Sequence, residues 1–186
     1  YIHEEHSDSV VNSAFLAGAF SDEVLDELKG LLSHFTWPLA IRSSSLLEDA
    51  SHQPFAGVYA THMIANNHKD IETRLLRLQE AIKLVFASTY HRSSKAYVTA
   101  TANSIEEERM AVVIQELVGR EINGHFYPHI SGAARSRNHY PVDPLKAEDG
   151  IAAVCIGLGR QVASGEKCLR FSPGQPKRIH QFHSTD

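Results

Sequence analysis

The sequence predicts an α+β fold, because apolar residues recur at helical spacing through its first half and β-branched runs of strand length dominate the second. Strict strand–helix alternation and internal repeats are both missing from the pattern. The 186 residues suffice for one ordinary domain or two small lobes, and 42% hydrophobic with 22% charged residues matches a globular average. A net charge of −4 speaks against a nucleic-acid partner held by bulk electrostatics. No apolar run approaches the roughly 20 residues that cross a bilayer, so no membrane partner is expected.

Residues 9–20 and 22–35 read as helices. The second opens on Ser21-Asp22-Glu23, a cap followed by acids where the helix dipole favours them. Val24, Leu25, Leu28, Leu31, Leu32 and Phe35 give it one apolar face, and Trp37-Pro38 ends it. Leu39-Ala40-Ile41 fits a buried strand leading into Arg42. Residues 43–61 are polar and aperiodic, long enough for a binding loop rather than a plain connection. A long helix is expected over 68–90, with Ile71, Leu75, Leu78, Ile82, Val85 and Phe86 as its stripe, and a further helix over 93–108. The β-branched run from Met110 to Val118 reads as an interior strand. Another strand is expected from Glu121 to Ser131, a polar loop from Pro141 to Gly150, and a buried strand from Ile151 to Ile156 ending at Gly157-Leu158-Gly159.

Cys155 and Cys168 form no CxxC pattern and read as reduced, half-buried thiols of a cytoplasmic protein. The acidic start, Tyr1-Ile2-His3-Glu4-Glu5-His6, carries no secretory signal. It also lacks an initiating methionine, so a piece of a longer polypeptide is expected. The pairs His3/His6, His125/His129 and His180/His183 fit no metal-ligand spacing, and no metal site is expected. Glu106-Glu107-Glu108 is read as a solvated helix end, since contiguous carboxylates on a helix point in different directions. Ser43, Ser44 and Ser45 have no identifiable base beside them and suit hydroxyl contacts better than nucleophilic attack.

The densest chemical signal is Arg42-Ser43-Ser44-Ser45-Leu46-Leu47-Glu48-Asp49, followed by Phe55-Ala56-Gly57-Val58-Tyr59-Ala60-Thr61. A guanidinium at a strand end grips phosphate oxygens bidentately, and a glycine lets backbone N–H groups approach an anion. The same residues also fit a solvated serine turn with an ion pair from Arg42 to Glu48 or Asp49. Gln115 is either a contact for a ligand or a buried amide satisfied by its neighbours.

These motifs resemble the N-terminal nucleotide-binding domain of the phosphoenolpyruvate synthase and pyruvate phosphate dikinase family. The resemblance runs through Arg42-Ser43-Ser44, Glu48-Asp49, Phe55-Ala56-Gly57 and Thr61, with Pro54 in place of the usual serine. It continues through residues 112–118, similar to the family's hinge strand, and through Gly157-Leu158-Gly159 with Val162 and Gly165. Ala87-Ser88-Thr89-Tyr90 is similar to a helix end of the family.

The resemblance implies an incomplete ATP-grasp-like fold, with helices on mixed or antiparallel sheets in two lobes. Residues 1–114 would form the first lobe, with a helical insertion over about 62–108, and 115–186 part of the second. ATP would be the ligand: Arg42 on its phosphates, Gly57 and Thr61 lining the phosphate loop, Gln115 and the Leu117 backbone at adenine. Mg²⁺ would accompany it, held by residues outside this chain. The parent enzyme would convert ATP, pyruvate and water to phosphoenolpyruvate, AMP and phosphate, with pyruvate reached through further domains. No catalytic residue is expected here, and the chain alone is expected to be inactive. A related dikinase with an antibiotic or glucan acceptor, or a degenerate regulatory module, are the alternatives. Asn123-Gly124-His125 and Arg160 depart from the family pattern, which has Ser-Gly-Val and often Glu there.

Overall fold

A computed structural model describes residues 6–45, 57–100, 108–163 and 165–177. The chain falls into two compact units, Tyr1–Leu117 and Val118–Asp186. Helices and small antiparallel sheets make it α+β, and all described strand pairs are antiparallel.

The first unit begins with α1 (Asp8–Ala17) and α2 (Asp22–His34). Ser21 caps α2 by accepting the Val24 N–H at 3.4 Å. Leu28 and Leu32 carry its buried stripe, and Val24, expected on that face, is exposed. Then come β1 (Leu39–Ser45), β2 (Thr61–Ile64), α3 (Ile71–Ser88), α4 (Arg92–Thr99) and β3 (Met110–Glu116). The strand expected at 39–41 therefore runs on through the serines, and Thr61 already belongs to β2. The expected loop is shorter at both ends, and residues 46–56 lie outside the described ones. Pairing with β3 runs from Leu39↔Glu116 to Ser45↔Met110 along the whole of β1. Backbone pairing along that ladder, rather than side-chain polarity, makes the serines part of the strand.

The sheet order is β2-β1-β3. The run read as an interior strand is thus an edge strand among the described residues, and β1 is the central one. The β-branched residues of β3 alternate between half-buried and exposed, as on a sheet whose one face is packed by the described helices. Those helices are α2 and α3: Leu28, Leu32, Leu75, Leu78, Ala81, Ile82 and Val85 meet Leu39 and Ile41 of β1 in one core. The expected stripe of α3 holds, and the helix starts at a cap. Asp70 accepts the Thr73 hydroxyl and amide at 2.7 and 2.9 Å, which holds its carboxyl below the usual range. Helix α4 ends at Thr99, while 101–107 lie outside the described residues.

A polar hub fixes where β1 begins. Buried Asn66 takes a left-handed φ of 52° and donates to the carbonyls of Phe35 and Trp37, both at 2.9 Å. Arg74 donates to Asn66 Oδ1 at 2.8 Å and to the Leu32 carbonyl at 2.7 Å, near the C-terminal end of α2 where a cation is favoured.

The second unit holds β4 (Arg120–Ile122), β5 (His125–Tyr127), β6 (Ile130–Arg135), β7 (Ile151–Ile156), α5 (Arg160–Ala163) and β8 (Leu169–Phe171). The single strand expected from Glu121 to Ser131 is instead a hairpin followed by the start of β6. Its turn is Asn123 at φ 52° and Gly124 at φ 77°, the paired left-handed residues of a two-residue hairpin loop. The loop expected over 141–150 contains a 3-10 turn, Ala147–Asp149. The second sheet runs β6-β7-β8. Strand β7 is where it was expected but is not buried: Ala152 is, whereas Ile156 is 89% exposed. Among the described residues this unit has no helix longer than the four-residue α5, so its sheet gains little cover. Cys155 and Cys168 are free and half-buried. No helix among the described residues is long and apolar enough to cross a membrane.

Two predictions follow from the first unit. Asn66→Ala removes two donors from the carbonyls of Phe35 and Trp37 and puts alanine at a left-handed position. It should cost about 2–3 kcal/mol in a denaturant titration. His62 pairs across from fully buried Ile41, and burial, then the nearby His91, lower its pKa. Above the ordinary value of about 6.5 both states are neutral there and nothing is lost. Below it the unfolded chain binds a proton that the folded chain resists, so stability falls on acidification. Denaturation midpoints should drop as the pH falls through about 6.5, and drop less in His62→Gln.

Candidate functional site

Directly opposed residues of an antiparallel sheet share a face, and successive residues of a strand alternate. With Leu39, Ile41 and Ser43 turned to the core, β1 turns Ala40, Arg42 and Ser44 to the side opposite α2 and α3. The register completes that side in rows. Thr61, Arg42 and Val113 form one, Met63, Ala40 and Gln115 the next, and Ser44 with Ala111 a third. Strand and residue spacings make this a patch of about 10 by 14 Å. Arg42, Thr61 and Gln115, picked from the sequence for one site, therefore stand together on it.

All three are exposed. Exposure rules out the buried amide as the reading of Gln115. No described residue supplies a carboxylate to the Arg42 guanidinium: the ion pairs among the described residues are Lys29–Glu72 and Arg137–Glu148. Glu48 and Asp49, the partners weighed for it, lie outside the described residues, as do Phe55 and Ala56. Ala40 is small and buried, so the patch dips between Met63, 68% exposed, and Gln115. The inventory is a cationic fork, hydroxyls, one amide with donor and acceptor, and apolar surface from Met63 and Val113. It suits an anion joined to a flat polar heterocycle. It does not suit a divalent cation, which takes carboxylate and carbonyl oxygens. Among the described residues no group of three or more His, Cys, Asp or Glu stands together.

Gly57 lies four residues before Thr61, at φ 83°. A Cβ built there meets nothing within 4 Å, so the requirement for glycine is conformational rather than steric. The bend that follows is pinned on two sides. The Ala60 N–H donates to Ser88 Oγ at 3.0 Å, at the end of α3, and Ser94 Oγ donates to the Ser88 carbonyl at 2.7 Å. The Tyr59 hydroxyl donates to Glu108 Oε2, and both residues are buried. Glu108 was expected in a solvated helix end. It is instead 8% exposed, its other oxygen accepting the Arg109 N–H at 2.8 Å. Glu106 and Glu107 lie outside the described residues.

Leu117 is the remaining residue picked from the sequence. Its N–H donates to the Pro38 carbonyl at 2.8 Å, so a contact with a base would need another of its groups. Sequence reasoning missed Met63, Tyr59, Ser88 and Glu108. Met63 was findable, since it is two positions from Thr61 on a strand. The Tyr59–Glu108 contact had no signal, because 49 positions separate the two.

In the second unit Gly157 and Gly159 have φ of 83° and 79° and carry the chain from β7 to α5. A Cβ on Gly159 would come within 2.6 Å of Ser131 Cβ, and Ser131 Oγ donates to the Gly157 carbonyl. These contacts bring the turn after β7 against Ser131 of β6, with close approach at Gly159 and a left-handed backbone at both glycines. Asn123 sits in the hairpin turn, His125 opens β5, and Arg160 opens α5.

Replacing Gly57 tests the bend. Gly57→Ala should lower stability by about 1 kcal/mol, and Gly57→Asn by less, because Asn tolerates left-handed backbone. Equal stability of all three proteins in urea would remove the conformational requirement.

Comparison with known proteins adds two findings. Residues 3–178 match the family described as the pyruvate phosphate dikinase AMP/ATP-binding domain. The chain is also 31% identical over 158 residues to the uncharacterized phosphotransferase YvkC of Bacillus subtilis (strain 168). That match covers 83% of this chain and 17% of the relative, so the chain spans under a fifth of the relative's length.

Proposed function

Because this chain belongs to the pyruvate phosphate dikinase AMP/ATP-binding domain family, we propose that it is the ATP-binding part of a dikinase similar to phosphoenolpyruvate synthase. The observation that carries the proposal is the sheet face shared by Arg42, Thr61 and Gln115, opposite α2 and α3, with the left-handed Gly57 just upstream. Arg42 grips phosphate oxygens, assisted by Thr61 and by main-chain N–H groups of the Gly57 bend other than that of Ala60, which donates to Ser88. Gln115 reads the edge of adenine, with Leu117 at the strand end, and Met63 and Val113 give the ring apolar contact. An ATP-grasp-like arrangement would supply the rest of the nucleotide's surroundings.

The parent reaction moves two phosphoryl groups out of ATP: one reaches pyruvate as phosphoenolpyruvate, the other reaches water, and AMP leaves. Phosphoryl transfer is mostly positioning and charge neutralisation, so a cation placed at the phosphates is what this chain contributes. Mg²⁺ bound with the nucleotide would neutralise further charge, through ligands other than the residues of this face. Pyruvate and the phosphoryl carrier belong to other parts of the parent chain, in the cytoplasm. A different acceptor is the second reading. It is favoured by the relative's description as a phosphotransferase with no acceptor named.

Calorimetric titration of ATP tests the proposal. Arg42→Ala should weaken binding about 10- to 100-fold, the worth of a charge-assisted hydrogen bond to phosphate. Adenosine, which has no phosphate, should bind both proteins equally. Equal ATP affinity in wild type and variant would remove Arg42 from the site.

A further inference from the structure

The buried pair Tyr59 and Glu108 has a cost that stability alone does not explain. Taking a carboxylate out of water is unfavourable unless its oxygens are satisfied, and a well-packed apolar pair of the same volume would be at least as stable. Here both oxygens are satisfied, one by the Tyr59 hydroxyl and one by the Arg109 N–H. The tyrosine ring is 5% exposed and shares a small core with Val98, Val58, Tyr97 and Met110. Met110 at the start of β3 packs against both this cluster and the main core under the sheet.

The location gives the pair its meaning. Tyr59 stands midway between Gly57 and Thr61, and Glu108 lies two residues before β3, the strand that carries Gln115. One hydrogen bond therefore ties the glycine bend to the entrance of the strand at the far edge of the sheet. The neighbouring Ala60 N–H is tied separately to Ser88 at the end of α3. The bend is held at adjacent residues by two different elements.

We propose that the Tyr59–Glu108 hydrogen bond is a positioning latch that fixes residues 57–61 in the conformation needed to receive phosphate. The proposal rests on the nucleotide reading above for what is received, and on the geometry alone for the fixing. Tyr59 and Glu108 touch no ligand; they act through the backbone of the bend.

The test uses the 186-residue chain as Tyr59→Phe, Glu108→Gln and the core control Ile82→Val. Tyr59→Phe keeps the ring and removes the donor. Glu108→Gln can keep both contacts, its oxygen accepting the Arg109 N–H and its amide donating to the Tyr59 hydroxyl oxygen. Amide hydrogen exchange over residues 57–61 is the readout that needs no ligand. It should speed up at least 5-fold in Tyr59→Phe, stay within about 2-fold of wild type in Glu108→Gln, and not change in Ile82→Val. ATP affinity should follow the same order, about 5-fold weaker in Tyr59→Phe, although Ile82→Val also lowers the melting temperature. Unchanged exchange in Tyr59→Phe overturns the latch whatever ATP does. Faster exchange with no ATP binding by wild type leaves the latch standing and overturns the nucleotide reading. Equal acceleration in Ile82→Val would reduce the pair to general stability and overturn its positioning role.

Discussion

The site depends on one constraint: among the described residues, α2 and α3 pack on one face of the central strand β1. Helices α2 and α3 bury Leu39 and Ile41, and the pleat then turns Ala40, Arg42 and Ser44 the other way. A slip of one residue in either ladder would send the guanidinium into the apolar core and Ile41 into water. Both ladders agree on the register, since Arg42 faces Thr61 on one side and Val113 on the other. The Asn66–Arg74 hub sets where that register begins by fixing the carbonyls just before β1. Parts distant from the patch thus decide which side chains appear on it.

Much of the first unit was legible in the sequence because its signals are local. Ser21 and the stripe of α3 are read within a turn or two, and both hold. The serines of β1 misled because a polar run reads as loop when its ladder partner lies some seventy positions away. The run from Met110 read as interior because β-branched residues suit strands generally; burial on both faces is a tertiary fact that β3 lacks. In the second unit Asn123-Gly124 is a strong hairpin signal that was available and was read instead as part of one strand.

Of the candidate site, Arg42, Thr61 and Gln115 came from motif resemblance, and their convergence came only with the register. Gly57 was sought as a place without a side chain, and what the bend requires is its backbone conformation. Glu108 shows the limit of local reading. Three consecutive carboxylates suggest solvent, but the last has a tyrosine hydroxyl and a backbone N–H to bury itself against. The chain thereby separates two tasks. Polar groups that are buried and paired hold the shape, and the exposed ones on the sheet face remain available for a ligand.

The most direct measurement is a map of backbone amide shifts in the labelled chain as ATP is added. Binding on the face opposite α2 and α3 predicts saturable changes at residues 42–44, 57–61 and 111–115, with α1, α2 and the β4–β5 hairpin unmoved. Saturable changes confined to the second unit, or none on β1, would contradict a nucleotide site built on Arg42.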